Sequence, residues 1–301
     1  MMMMRMEILE NEGKLVYPQP HILKMIQDKR LQKQFFKKHG FPTADFILID
    51  SAEEIRKHMS FLPAFHKLGK GGYDGRGVQL IQSESDISLG FNEPGLLEKA
   101  VHFSKELAVI VARNVQGEIS TFPAVEMVFH PVHNLVEFLV SPAEISSEIK
   151  NKASQMAVDL IGQLGMVGVL AVEMFLTSEG EILINEIAPR PHNSGHHTIR
   201  ANETSQYEQH LRAISGLSLG KTTSKCFSGM LNLLGEDGYT GSVKYEGLRE
   251  ILSIPGVHPF LYGKKITKPF RKMGHVTILG NSRLEIEAKA DKVRNLIRVI
   301  S

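Results

Sequence analysis

Two glutamates stand inside apolar, strand-forming runs separated by one turn. Glu173 lies in Val172-Glu173-Met174-Phe175, Glu186 in Ile182-Leu183-Ile184-Asn185-Glu186-Ile187, and Ser178-Glu179-Gly180 falls between them. A carboxylate inside an apolar strand is costly unless a cation compensates it. If residues 167–176 and 181–186 pair as a hairpin, both carboxylates face one side and meet across it. Oxygen ligands from Glu173 and Glu186, with Asn185 beside them, suit magnesium, which keeps several waters and shares substrate phosphates. The alternative is that one or both glutamates face solvent.

The rest of the chain bounds the problem loosely. It has 301 residues, 42% hydrophobic and 23% charged, enough for two domains. A net charge of +2 with no dense Lys/Arg run argues against a nucleic-acid surface. The single cysteine, Cys226, excludes an internal disulfide and fits a cytoplasmic protein. No signal peptide or apolar run of membrane-spanning length occurs.

Periodicity predicts a helix over 22–38, stopped by Gly40 and Pro42, and another starting at Ser51. Strands are expected at 62–66, 78–81, 107–113, 119–125 and 135–140, then a helix at 147–164. The two glutamate strands follow, then a loop at 189–195 and a helix at 206–215. From about residue 226 the chain reads as a small β-rich unit closed by a helix near 291–299, and residues 7–16 read as the tail of something preceding.

Four further segments carry chemistry. Gly71-Gly72-Tyr73-Asp74-Gly75-Arg76-Gly77 lies between two expected strands, where glycines let backbone amides approach phosphate. It lacks the Gly-Lys-Ser/Thr of a Walker loop and leads into a strand, and Lys67 precedes it. The segment Glu98-Lys99-Ala100-Val101 can offer backbone groups to an adenine edge, and Glu106 can accept ribose hydroxyls. Ala188-Pro189-Arg190-Pro191-His192-Asn193-Ser194-Gly195-His196-His197-Thr198 offers a fixed cation and imidazoles to an anionic substrate. Zinc through His192 and His196 would need a helix that Pro191, Asn193 and Gly195 oppose. Lys264 and Lys265, with Arg271 and Lys272, form basic turns able to hold a phosphate.

Taken in order, Gln27-Asp28-Lys29-Arg30-Leu31-Gln32-Lys33, the glycine segment, Asn185 to His196, Ser205-Gln206-Tyr207-Glu208-Gln209-His210-Leu211-Arg212-Ala213 and Arg271-Lys272-Met273-Gly274-His275 closely resemble the N5-carboxyaminoimidazole ribonucleotide synthases, ATPase subunits of phosphoribosylaminoimidazole carboxylase. The resemblance runs from about residue 7 to the end. It implies an α+β, ATP-grasp fold, in which two subdomains clamp ATP, with a small β-rich C-terminal domain. It places a remnant of an N-terminal domain and linker at 1–20, the ATP-grasp domain at 21–218 and the C-terminal domain at 219–301. The family's N-terminal Rossmann-like domain would be largely absent, so the chain is expected to bind MgATP better than it turns over the ribonucleotide. The implied reaction joins bicarbonate to 5-aminoimidazole ribonucleotide with ATP and two magnesium ions, in a cytoplasmic enzyme that is often a dimer.

Carried onto this sequence, the resemblance puts Lys29 and Lys67 on ATP phosphates and Gly72, Tyr73, Asp74, Gly75, Arg76 and Gly77 in the phosphate loop. Glu98 and Val101 would meet adenine and Glu106 the ribose, while Glu173 and Glu186 would bind magnesium beside Asn185. Tyr73, Asp74 and Arg76 would face the imidazole or bicarbonate, and Arg190, His192, Lys264 and Arg271 would grip the substrate and its phosphate. Family members commonly carry Arg at the position of Lys29 and Gln at that of Val78. Two other readings are a different ATP-grasp ligase, such as the formate-dependent formyltransferase of purine synthesis, and a non-catalytic ATP-binding fragment.

Overall fold

The computed structural model describes residues 2–72, 77–129 and 136–301. Its first helix, α1 (Met2–Asn11), occupies much of the segment expected to be a tail and packs on α2 (Pro20–Ile26). The single helix expected over 22–38 is two, because α3 (Lys29–Lys38) starts afresh after Asp28. Asp28 is extended (φ −112°, ψ 108°), and its carboxylate accepts from the Arg30 N–H at 3.0 Å, an N-cap competing with helix continuation. The break re-aims α3 so that Phe36 enters the main core while Lys29 and Lys33, one turn apart, face the sheets.

A four-stranded antiparallel sheet follows, from β1 (Phe46–Ile49), β2 (Ala64–Leu68), β3 (Val78–Ile81) and β4 (Gly95–Lys99), in the order β1-β4-β2-β3. The helix expected from Ser51 is a 3-10 turn over Ala52–Phe61, kinked at His58. Ile49, Ile55, Ile81, Ile87 and Leu97 form this sheet's core.

The larger sheet begins with β5 (Phe103–Arg113), β6 (Ile119–Thr121), β7 (Val125–Phe129) and β8 (Val136–Ser141). The strand expected over 119–125 is interrupted at Pro123, which has no N–H for a ladder. Helix α4 (Ser147–Leu164) has the expected bounds, N-capped by the Ser146 hydroxyl and ended at Gly165 with φ 60°. Next come β9 (Gly168–Thr177), β10 (Ile182–Ala188), α5 (Thr198–Ala201) and α6 (Gln206–Ile214).

The C-terminal third adds β11 (Phe227–Leu234), β12 (Gly241–Ser242), β13 (Lys244–Glu246), α7 (Leu248–Leu252), β14 (Val257–Leu261), β15 (Ile266–Thr267), β16 (Lys272–Gly280), α8 (Arg283–Leu296) and β17 (Arg298–Ile300). The closing helix starts earlier than the predicted 291, at a Ser282 N-cap whose hydroxyl accepts from the Glu285 N–H. Three of these strands extend the large sheet, in the order β10-β9-β5-β7-β8-β11-β16-β14 with β6 beside β5. The C-terminal region therefore continues the ATP-grasp sheet through the β8–β11 ladder.

Alternation along these strands sorts two faces. One packs Leu107, Val109, Leu170, Val172 and Ile184 under α4, and Val140, Leu231, Val276 and Ile278 under α8. The other carries Glu106, Glu173 and Glu186. No helix among the described residues is long and apolar enough to cross a membrane.

Candidate functional site

A slip in register builds the centre of the site. From Ile182↔Leu176 to Ile184↔Met174 the β9–β10 hairpin is regular, and continuing it would set Asn185 opposite Glu173. A bulge falls there instead, so that Glu186 lies opposite Glu173 and Ile187 opposite Val172. Without that extra residue, alternation would turn Glu186 toward the apolar core. Ile184 and Ile187, both buried under α4, pin the bulge from either side. On β5, Ala108 lies opposite Glu173 and Glu106 opposite Phe175, so a third carboxylate joins the same face.

The electrostatics are those of a face with too much negative charge. Burial, then the Glu186 and Glu106 charges, push Glu173 up to about 8. Burial likewise pushes Glu106 up to about 7, with Lys67 opposing. Burial also disfavours ionised Glu186, but the attraction and hydrogen bond of Lys29 outweigh it and hold this carboxyl below its usual range. His192 Nε2 lies 3.3 Å from Glu173 Oε1. Among the described residues no three His, Cys, Asp or Glu side chains form a chelating group. A cation here would take two carboxylates and complete its shell with water and ligand oxygens, as magnesium does. Facing carboxylates, one driven to hold a proton, fit that role.

Three lysines close the other side. Lys29 donates to Glu186, and Lys67 donates to Glu98 at 2.5 Å and to Asn185 Oδ1 at 3.2 Å. Lys33, which the sequence reading passed over, lies 2.5 Å from the second Glu98 oxygen and donates to the Thr43 hydroxyl. Lys29, Gln32, Lys33, Lys67, Leu96, Asn185 and Glu186 line one cleft. The Glu98 carboxylate, expected at adenine, is thus held between two lysines, and Val101 follows just beyond β4.

The glycine segment closes the β2–β3 hairpin, where Leu68 N–H donates to Gly77 carbonyl at 2.9 Å. Gly77 has φ 74°, and a Cβ there would press on Leu68 and Gly72. Tyr73, Asp74, Gly75 and Arg76 lie outside the described residues.

The loop after β10 crosses the carboxylate-bearing face toward the C-terminal strands. Gln206, fully buried on α6, accepts from the His192 N–H and donates to the His192 carbonyl, both at 2.8 Å. That amide clamp holds His192 beside Glu173, and a Cβ on Gly195 would collide with it. Arg190 is exposed and donates to the Pro191 carbonyl. Farther along, Phe260, His275, His196 and Tyr207 stack in series, and the Tyr262 hydroxyl bonds His275. Burial pushes His196 down to about 3 and His275 down to about 4, so both are neutral imidazoles. Lys264 lies over the Tyr262 ring at 5.4 Å and donates to the Lys272 carbonyl, while exposed Arg271 donates to the Ile266 carbonyl. Lys264 and Arg271 thus lie near the start of β16, with Lys264 over the Tyr262 ring that bonds His275. Lys33 and Gln206 were visible in the motifs, but nothing local marked their partners 65 and 14 residues away.

Comparison with known proteins identifies the family and the fold. The ATP-grasp domain model matches residues 34–207, and that of the phosphoribosylaminoimidazole carboxylase C-terminal domain matches 228–289. The N5-carboxyaminoimidazole ribonucleotide synthase of Bacillus subtilis is 41% identical over 264 residues, which are 86% of this chain and 67% of that protein. The crystal structure of the corresponding synthetase from Thermotoga maritima superposes with a TM-score of 0.89 at 41% identity, covering 99% of this chain and 79% of that one. The Aspergillus clavatus enzyme in complex with ADP and 5-aminoimidazole ribonucleotide gives a TM-score of 0.87 at 29% identity, covering 97% and 79%. The chain spans only about half the length of the phosphoribosylaminoimidazole carboxylases it also matches.

Proposed function

The chain belongs to the ATP-grasp family and, within it, to the N5-carboxyaminoimidazole ribonucleotide synthases, and from that premise we propose that it carboxylates 5-aminoimidazole ribonucleotide. Bicarbonate and ATP are the co-substrates, and the products are N5-carboxyaminoimidazole ribonucleotide, ADP and phosphate, in purine biosynthesis. The observation that carries this reading is the Glu173–Glu186 pair, set face to face by the bulge with Lys29 and Lys67 beside it.

Lys29 and Lys67 present ammonium groups to the ATP phosphates, and we assign the glycine segment from Gly72 to Gly77 to the same phosphates. The backbone of residues 98–101 meets adenine, since the Glu98 carboxylate is occupied by two lysines, and Glu106 accepts the ribose hydroxyls. Glu173 and Glu186, with Asn185, hold magnesium, for which we propose two ions. When bound, the metal neutralises charge on the transferred phosphoryl group. Tyr73, Asp74, Arg76, Arg190 and His192 face the bicarbonate and the imidazole, and Lys264 and Arg271 take the ribonucleotide phosphate. Bicarbonate attacks the γ-phosphate and ADP leaves. The carboxyphosphate, or carbon dioxide released from it, then meets the exocyclic amine, and a dry cleft protects this labile species from water. We place the enzyme in the cytoplasm, as a homodimer.

The test is ADP release followed with each acid and each ribonucleotide in turn. Release that requires both bicarbonate and 5-aminoimidazole ribonucleotide is expected. Release that follows formate and ignores bicarbonate would refute the assignment.

A further inference from the structure

A third lysine stands behind the two assigned to the phosphates, and the reaction just described gives it no task. Lys33 is 3% exposed, and Glu98, its partner, 2%. Buried lysines and glutamates are rare unless paired, and breaking such a pair leaves an uncompensated charge.

Lys33 belongs to a series of contacts crossing four elements. Its ammonium lies 2.5 Å from Glu98 Oε2 on β4 and donates at 2.5 Å to the Thr43 hydroxyl. Thr43 in turn donates to the Ile184 carbonyl on β10 at 2.6 Å, one residue before the bulge. The other Glu98 oxygen accepts from Lys67 on β2 at 2.5 Å, and Lys67 reaches Asn185, the bulged residue, at 3.2 Å.

One carboxylate therefore serves two ammonium groups. While Lys33 is present, Glu98 divides its charge, and Lys67 keeps an attraction for a further anion. Without Lys33, the whole carboxylate charge falls on Lys67 in a poorly solvated site, where a charge pair at this distance is strong. Phosphate would then compete with Glu98 for Lys67.

We infer that Lys33 is a positioning residue that limits the hold of Glu98 on Lys67 and so leaves Lys67 available to a nucleotide phosphate. The inference rests on the assignment of Lys67 to ATP. It requires no contact between Lys33 and the nucleotide.

Calorimetric titration of the whole chain with MgATP and, separately, with adenosine tests it. In Lys33→Met, MgATP affinity is expected to fall about tenfold or more, with adenosine binding unchanged. Restoring the balance in Lys33→Met/Glu98→Gln should return MgATP affinity to within about threefold of the parent. A double variant as weak as the single one would mean that Lys33 binds phosphate itself, and equal losses for MgATP and adenosine would mean that it only supports packing. Either result overturns the inference. Should Lys33→Met not fold, Thr43→Val removes one anchor of the ammonium, and about a threefold loss for MgATP alone is expected; parental affinity overturns the inference. Lys67→Met separates the levels. If it binds MgATP normally, the assignment of Lys67 fails; if it binds weakly while Lys33→Met does not, only the role of Lys33 fails.

Discussion

The two faces of the large sheet both carry carboxylates, and they treat them oppositely. On the helix-covered face, Glu126 lies opposite Leu107 and Val140, between the core under α4 and the core under α8. Arg283 of α8 grips it with two hydrogen bonds, at 2.8 and 3.1 Å, and Lys105 adds a third at 2.7 Å. Burial opposes its ionisation, yet those bonds keep the carboxyl below its usual range. On the open face, Glu173 meets Glu186 and Glu106, and one of the three, Glu173, is pushed up to about 8. A carboxylate matched by fixed cations is a fastening, here between the C-terminal helix and the central strands. One left facing other carboxylates keeps a place for a cation from outside.

Three substitutions or conditions separate these roles, and the largest effect belongs to the open face. Glu186→Gln keeps the shape of the side chain and removes its charge, so ATP-dependent ADP release should fall about a thousandfold, with the melting temperature near that of the parent. Retention of most of the activity would dissolve the distinction. On the covered face the expectation reverses. Arg283→Met should destabilise by about 2 kcal/mol in denaturant unfolding, less than for a fully buried pair because Lys105 remains. MgATP affinity should be unchanged, and a matching loss of affinity would show that the fastening also shapes the site.

The smallest effect is one of pH. The raised Glu173 carboxyl makes the metal-free fold bind a proton that the unfolded chain releases near 4.5. That contribution to stability is complete below pH 4.5 and is lost as pH rises toward 8. A divalent cation must displace the same proton. The rise in melting temperature produced by magnesium should therefore be larger at pH 8 than at pH 6, and equal shifts would contradict the assignment of Glu173.

Much of this was legible without coordinates, and the failures share a cause. Helix α4 has strong 3.6-residue periodicity, a serine cap and a terminal glycine, all local signals, and its bounds were found. The break at Asp28 was missed because the flanking apolar spacing looks continuous, while the cap depends on a turn of the Asp28 side chain. Strands β1 and β4 were missed because they are short and pair with each other across 46 to 52 residues of chain. The C-terminal unit was read as a small domain, as the family model over 228–289 has it, but composition does not show that its Ser228 pairs with Ser141 of the large sheet.

By itself the sequence determined that two glutamates sit in apolar, hairpin-forming strands, that a glycine segment lies between two strands, and that a Pro-His-Asn loop follows the second glutamate. These are matters of residue type and spacing along a few neighbouring positions, where short-range sterics and hydrophobic alternation decide. Only the tertiary structure decided that Glu186 turns out of the core at a bulge, that Lys33 and Lys67 share Glu98, and that one sheet carries both the ATP-grasp strands and the C-terminal ones. Those outcomes depend on packing and charge compensation between residues far apart in the chain, and no local pattern encodes which distant partner will be there.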